Sequence, residues 1–217
     1  MGEVLLITDR TRSRDRPVEE VAAAAVHGGV RMIQVREKDL PTRPLLALVR
    51  AVIRTASAAL GAAGRVKVFV NDRLDVALAA GAQGVQLGAS TIPVAAARRI
   101  APGLAIGYSA HAIEEALEAE RDGADFVTFS PVFETTSPGV KAPAQGLGRL
   151  AEVCGALRIP VFALGGITAE CVPEVIAVGT QGVAIVSAVT EAADPAAAAE
   201  AIVKACRGAA CLKERSE

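Results

Sequence analysis

The chain of 217 residues has no tryptophan, one tyrosine and 3% aromatic residues, and its 23 lysines and arginines are offset by 24 aspartates and glutamates. A net charge of -1 with so few rings supplies neither the basic face nor the stacking platform that nucleic-acid binding needs, so that class is excluded. Apolar runs of eighteen or so residues, the length that spans a bilayer, are also missing. The N-terminus enters Val4-Leu-Leu-Ile7 without a cationic leader, and the expectation is a cytoplasmic protein without membrane contact. Cys154, Cys171, Cys206 and Cys211 have no C-x-x-C spacing and no nearby histidine, so they read as reduced structural thiols rather than as a metal site or disulfide framework.

What the chain does have is apolar residues, 52% of the total, arranged in a repeating beat. Short β-branched runs at 4–8, 31–35, 66–70, 84–87, 104–108 and 125–129 read as strands buried on both faces. Two more follow in Ile159-Pro-Val-Phe-Ala-Leu-Gly-Gly-Ile167 and Gly182-Val-Ala-Ile-Val-Ser-Ala188, each ending in small residues. Helices between them start near Pro17, Pro44 and Pro93 and stop at Gly28, Gly61 and Gly123. Ser109-Ala-His-Ala-Ile-Glu-Glu115 reads as a capped helix start. A last helix is expected over 195–207. No nucleotide-binding fingerprint is present, so the expectation is an α/β chain folded as a single (β/α)8 TIM barrel over residues 1–211, with 212–217 as a frayed tail.

In such a barrel the polar residues just past each strand face one mouth. They are Asp9, Gln34, Arg36, Lys38, Asn71, Asp72, Ser109, His111, Thr135, Thr136, Ser137, Gly165, Gly166 and Ser187. Arg36 and Lys38 converging with a glycine-serine cup point to a ligand with one phosphate or a diphosphate, because Arg clamps oxygens in pairs and Lys acts as a point charge. Gly165 and Gly166 would let the backbone approach that ligand, and amides after Ser187 would face its charge. His111, in the first turn after strand five, could move a proton near pH 7. The one long irregular connection, 130–148, is the candidate lid.

Gln34-Val-Arg-Glu-Lys38, Asn71-Asp-Arg-Leu-Asp75, Ser109-Ala-His111, Gly123-Ala-Asp125 with Pro131-Val-Phe-Glu-Thr135, Leu164-Gly-Gly-Ile167 and 182–187 together resemble thiamin phosphate synthase and its relative, the TenI-type thiazole tautomerase. The resemblance covers nearly the whole chain and implies the same barrel. A synthase of this type joins a hydroxymethylpyrimidine diphosphate to a thiazole phosphate and releases pyrophosphate through a cation-like pyrimidine. The resemblance places Gln34, Arg36, Lys38 and Asn71 around the diphosphate, Asp72 on Mg2+, and Gly165, Gly166, Val186 and Ser187 around the thiazole phosphate. It sets Ser109 beside the pyrimidine and matches Thr135 and Ser137 to the hydroxyls of the loop after strand six.

Two departures bear on which activity is expected. The synthase pattern Gly-Gln-x-Asp after strand four carries a second magnesium ligand, whereas Gly88-Ala-Ser-Thr91 has no carboxylate; and Pro138 stands where a lysine usually follows the loop hydroxyls, with Lys141 as the nearest substitute. Both losses fall on the diphosphate half. The favoured reading is therefore the tautomerase, which needs only the thiazole-phosphate half and an acid-base histidine, His111, with no cofactor. The alternatives are the synthase, with Mg2+, and a non-catalytic phosphate-binding regulatory protein. Partners are expected to be small-molecule phosphates, and a homodimer would cover apolar outer-helix faces.

Overall fold

The computed structural model describes residues 2–61, 64–135 and 143–214, with side chains to residue 211. Eight parallel strands close into a barrel in sequence order, β1 (Glu3–Ile7), β2 (Met32–Val35), β3 (Lys67–Asn71), β4 (Gly84–Leu87), β5 (Ala105–Ala110), β6 (Phe126–Phe129), β7 (Val161–Ala163) and β8 (Gly182–Ile185). Around them lie α1 (Val18–His27), α2 (Thr42–Leu60), α3 (Leu74–Ala80), α4 (Val94–Ile100), α5 (Ile113–Arg121), α6 (Gly146–Ala156), α7 (Val172–Ala177), the single turn α8 (Ser187–Thr190) and α9 (Pro195–Glu214). The β1 to β8 pairing, with Leu5 opposite Ala184, closes the ring. No helix among the described residues is long and apolar enough to cross a membrane.

Strand alternation divides the core in two. Residues facing outward pack under the helices in one large apolar cluster, while Leu5, Ile7, Met32, Phe69, Phe126, Phe162 and Ala184 fill the barrel interior. Phe126 meets Phe69 and Phe162 edge to face, with ring centroids 5.2 and 5.4 Å apart. Glycine on the neighbouring strands makes the room: a Cβ on Gly84 would lie 2.3 Å from the Phe69 ring, and one on Gly107 would lie 2.3 Å from the Phe126 ring. These rings plug the barrel, so ligand space opens only above them, at the C-terminal ends of the strands.

Two element boundaries differ from the sequence reading. Ser109 does not cap a helix: β5 runs through Ala110, and α5 begins at Ile113 with Ala112 at its N-cap and no side-chain cap. The first-turn Glu115 instead accepts the His111 amide at 2.8 Å. The strand wins because Ser109 pairs with Thr128 in the β5–β6 ladder and its side chain faces the barrel interior. The last helix continues past Arg207 to Glu214, where Ala209, Ala210, Leu212, Lys213 and Glu214 are strong helix formers.

Candidate functional site

Above the phenylalanine plug, the last inward-facing side chains form an asymmetric ring. Gln34, Asn71, Gln86, Ser109 and Thr128 from β2 to β6 make a polar arc, while Leu164, Val186 and Ile7 continue it as an apolar arc. Over this ring lies a cavity of about 660 Å³ whose walls include Asp9, Gln34, Arg36, Lys38, Asn71, Asp72, Ser109, His111, Thr135, Gly165 and Val186. Eleven of the residues singled out from the sequence, Asp9 among them, thus meet in one space. Gly166 and Ser187, next in sequence to Gly165 and Val186, do not line it. Thr136, Ser137, Pro138 and Lys141 lie outside the described residues, as does the middle of the expected lid.

Two hydrogen-bond chains set the polarity of the polar arc. Gln34 Nε2 donates to Asn71 Oδ1 at 2.8 Å, and Asn71 Nδ2 donates to an Asp72 carboxylate oxygen at 2.7 Å, which leaves Gln34 Oε1 as an acceptor. Ser109 Oγ accepts from Gln86 Nε2 at 3.0 Å and from Thr128 Oγ1 at 3.3 Å, so its own proton is left to donate. Gln86 Oε1, buried beside Gly107, has no partner among the described residues. Asp72 sits at φ 62°, a left-handed conformation that aspartate tolerates better than most residues, and its amide is tied to the Gln86 carbonyl at 2.8 Å.

His111 Nδ1 lies 2.8 Å from the Ser130 carbonyl oxygen. A carbonyl can only accept, so Nδ1 carries the proton and Nε2 of the neutral ring is the acceptor. Thr91, where the second carboxylate of the family pattern would stand, turns back on its own loop: its hydroxyl accepts the Gly88 amide at 3.1 Å and donates to the Gly88 carbonyl at 2.7 Å. Ser90 faces the cavity instead.

The glycines after β7 also have a neighbour within the protein. A Cβ on Gly165 would lie 2.8 Å from Pro131, and one on Gly166 would lie 2.5 Å from the Glu134 carbonyl oxygen. Both have positive φ, and Phe133 N donates to the Gly165 carbonyl at 3.0 Å. Their freedom thus lets the loop after β6 close onto the loop after β7. On the other side, the first intrahelical bonds of α8 run from Val189 and Thr190 to the Val186 carbonyl, so the Ser187 and Ala188 amides precede them.

Sequence reading missed Gln86, Thr128, Ser90 and Glu37. The signal for the first two was a polar residue at the inward position of an otherwise buried apolar strand, in Gly84-Val-Gln-Leu87 and Phe126-Val-Thr-Phe129.

Residues 4–189 match the family model described as thiamine monophosphate synthase. The chain belongs to the thiamine monophosphate synthase family. A putative thiamine-phosphate synthase of Geobacter sulfurreducens is 44% identical over 199 residues, 91% of each chain. A thiamine-phosphate synthase of Methanoculleus marisnigri is 45% identical over 203 residues, covering 92% of this chain and 93% of that one. Among solved structures, a thiamine phosphate pyrophosphorylase from Pyrococcus furiosus superposes with a TM-score of 0.86 at 37% identity, over 95% of this chain and 96% of that one. Family members are enzymes of thiamine biosynthesis, and their names describe transferases; none of these relatives is named a tautomerase, the activity favoured on sequence.

Proposed function

We propose that the protein is a thiamin phosphate synthase, joining hydroxymethylpyrimidine diphosphate to thiazole phosphate with release of pyrophosphate. The observation that carries the reading is the convergence of Gln34, Arg36, Lys38, Asn71, Asp72 and Ser109 on one side of a cavity whose other side holds Gly165 and Val186. That arrangement suits two small heterocycles placed end to end, one with a diphosphate. The bond from the pyrimidine methylene to the diphosphate oxygen breaks, its electron pair leaving with the pyrophosphate, and the thiazole nitrogen lone pair forms the new C–N bond. Arg36 and Lys38 would stabilise the departing charge, and Ser109 and Gln34 would orient the pyrimidine by offering one donor and one acceptor. Gly165, Gly166, Val186 and Ser187 would hold the thiazole phosphate on the opposite side.

Among the described residues there is no cluster of three His, Cys, Asp or Glu side chains placed to cage a metal. Asp72 and Asp9 are the carboxylates on the cavity wall, a donor set that fits magnesium only in its commonest mode, with one or two carboxylates and the rest of the shell from water and substrate phosphates. Magnesium so bound would neutralise charge on the leaving diphosphate. The deciding experiment supplies purified protein with magnesium and both substrates and scores thiamin phosphate and pyrophosphate. Product in equal amounts of both is expected. Thiazole phosphate bound without product, in the presence of the pyrimidine diphosphate, would overturn the synthase and leave a binding protein or the tautomerase.

A further inference from the structure

We propose that Glu37 is a positioning residue for the diphosphate end of the cavity, joining the loop after β1 to the loop after β2 so that Arg36 and Lys38 are held toward the ligand. Glu37 faces away from the main cavity, and its side chain is 2% exposed. It lines a smaller cavity of about 320 Å³ on the far side of Lys38, Asn71 and Asp72. Gln34 and Arg36 line the main cavity and Val35 and Glu37 the smaller one, while Lys38 stands on the wall of both.

The carboxylate accepts from Thr8 Oγ1 at 2.7 Å and from the Arg10 amide at 3.1 Å, with the Arg10 guanidinium 3.9 Å away. Thr8 Oγ1 in turn accepts the Arg36 amide at 3.0 Å, and the Thr8 amide donates to the Gln34 carbonyl at 2.9 Å. Beyond Val35 the chain has left the β2 ladder, so the Arg36 amide takes the Thr8 hydroxyl in place of a strand partner. A buried carboxylate is a costly way to join two loops, and an apolar residue would pack there more cheaply. Its two oxygens, however, accept from a side chain and a main-chain amide at once, which an apolar residue cannot do. Anchoring the backbone between Arg36 and Lys38 removes the main-chain part of the ordering cost of gripping a diphosphate.

The inference rests on the diphosphate reading, and its test separates the two. Glu37→Gln leaves one acceptor oxygen for the two donors Thr8 Oγ1 and the Arg10 amide, Thr8→Val removes the hydroxyl at constant shape, and Thr8→Ser keeps it. Affinity for inorganic pyrophosphate with magnesium, measured by calorimetry, should fall about tenfold in Glu37→Gln and Thr8→Val and hold in Thr8→Ser. The KM for the pyrimidine diphosphate should rise in parallel while that for thiazole phosphate stays within about twofold. Unchanged pyrophosphate affinity in the first two variants, an equal loss in Thr8→Ser, or both KM values rising together would overturn the role. A chain without synthase turnover whose pyrophosphate affinity still follows this pattern keeps the positioning role and loses the synthase. A parent chain that binds no pyrophosphate removes both.

Discussion

Asp72 combines an unfavourable backbone with a useful side chain. At φ 62° glycine would be free of strain, and a non-glycine residue costs on the order of 1–3 kcal/mol unless its surroundings hold it there. The Gln34 to Asn71 to Asp72 chain and the amide bond to Gln86 supply that support and aim the carboxylate into the cavity. Asparagine tolerates the same conformation, so Asp72→Asn should leave the unfolding midpoint nearly unchanged. Turnover should fall on the order of a hundredfold, and half-maximal rate should need about tenfold more magnesium. Steady-state rates over a magnesium titration check this, and parental magnesium dependence in the variant would remove Asp72 as a ligand.

At the level of elements, α8 is a single turn, far too short to be stable by itself. The loop after β1 braces it. Arg16 donates to the carbonyls of Thr190 at 2.9 Å, Ala192 at 2.7 Å and Ala193 at 3.2 Å, Arg12 pairs with Glu191, and Arg14 reaches the Glu191 carbonyl at 3.3 Å. Because β1 and β8 are neighbours at the closure of the barrel, this clasp holds the turn that follows Val186 and Ser187. Arg16→Ala should lower stability by about 1–3 kcal/mol in urea unfolding and raise the KM for thiazole phosphate more than that for the pyrimidine diphosphate. Lysine offers one point of contact where the guanidinium makes several, so Arg16→Lys should recover little of either loss. Full recovery would show that charge, not the fork, matters.

For the whole molecule, Glu37 links the site to global stability. Burial raises its pKa above the ordinary 4.5 and the neighbouring Asp9 charge adds to this, while bonds from Thr8 and Arg10 and the Arg10 charge act against it. A raised folded value means that the fold binds this proton more tightly than the unfolded chain does. The contribution therefore favours the fold below about pH 4.5 and is lost as pH rises through the folded value. Asp75 works the other way: its bond from Arg73 lowers its pKa, so its contribution is present above 3.8 and lost as pH falls. Urea unfolding of Glu37→Gln and the parent should show the difference shifting toward the variant as pH rises above 4.5. A difference independent of pH would mean that folding does not raise the Glu37 pKa.

Sequence by itself determined the closed barrel and most of its mouth, because strand period and small residues at strand ends are local signals that survive without coordinates. Arg36, Lys38, Asn71 and Asp72 could be assigned to a shared site since each stands at or just past the end of a strand. The family, too, was legible, in six short motifs kept in order. What only the tertiary structure decided were relations across strands distant in sequence: the donor left on Ser109 by Gln86 and Thr128, the Glu37 join between two loops, and the fit of Gly165 and Gly166 against Pro131 and Glu134. Ser109 could not be separated from a helix cap on local grounds, because a serine before Glu115 satisfies capping chemistry as well as it satisfies a strand. Pairing with β6 decided between them, and that partner lies about twenty residues away, beyond any local pattern.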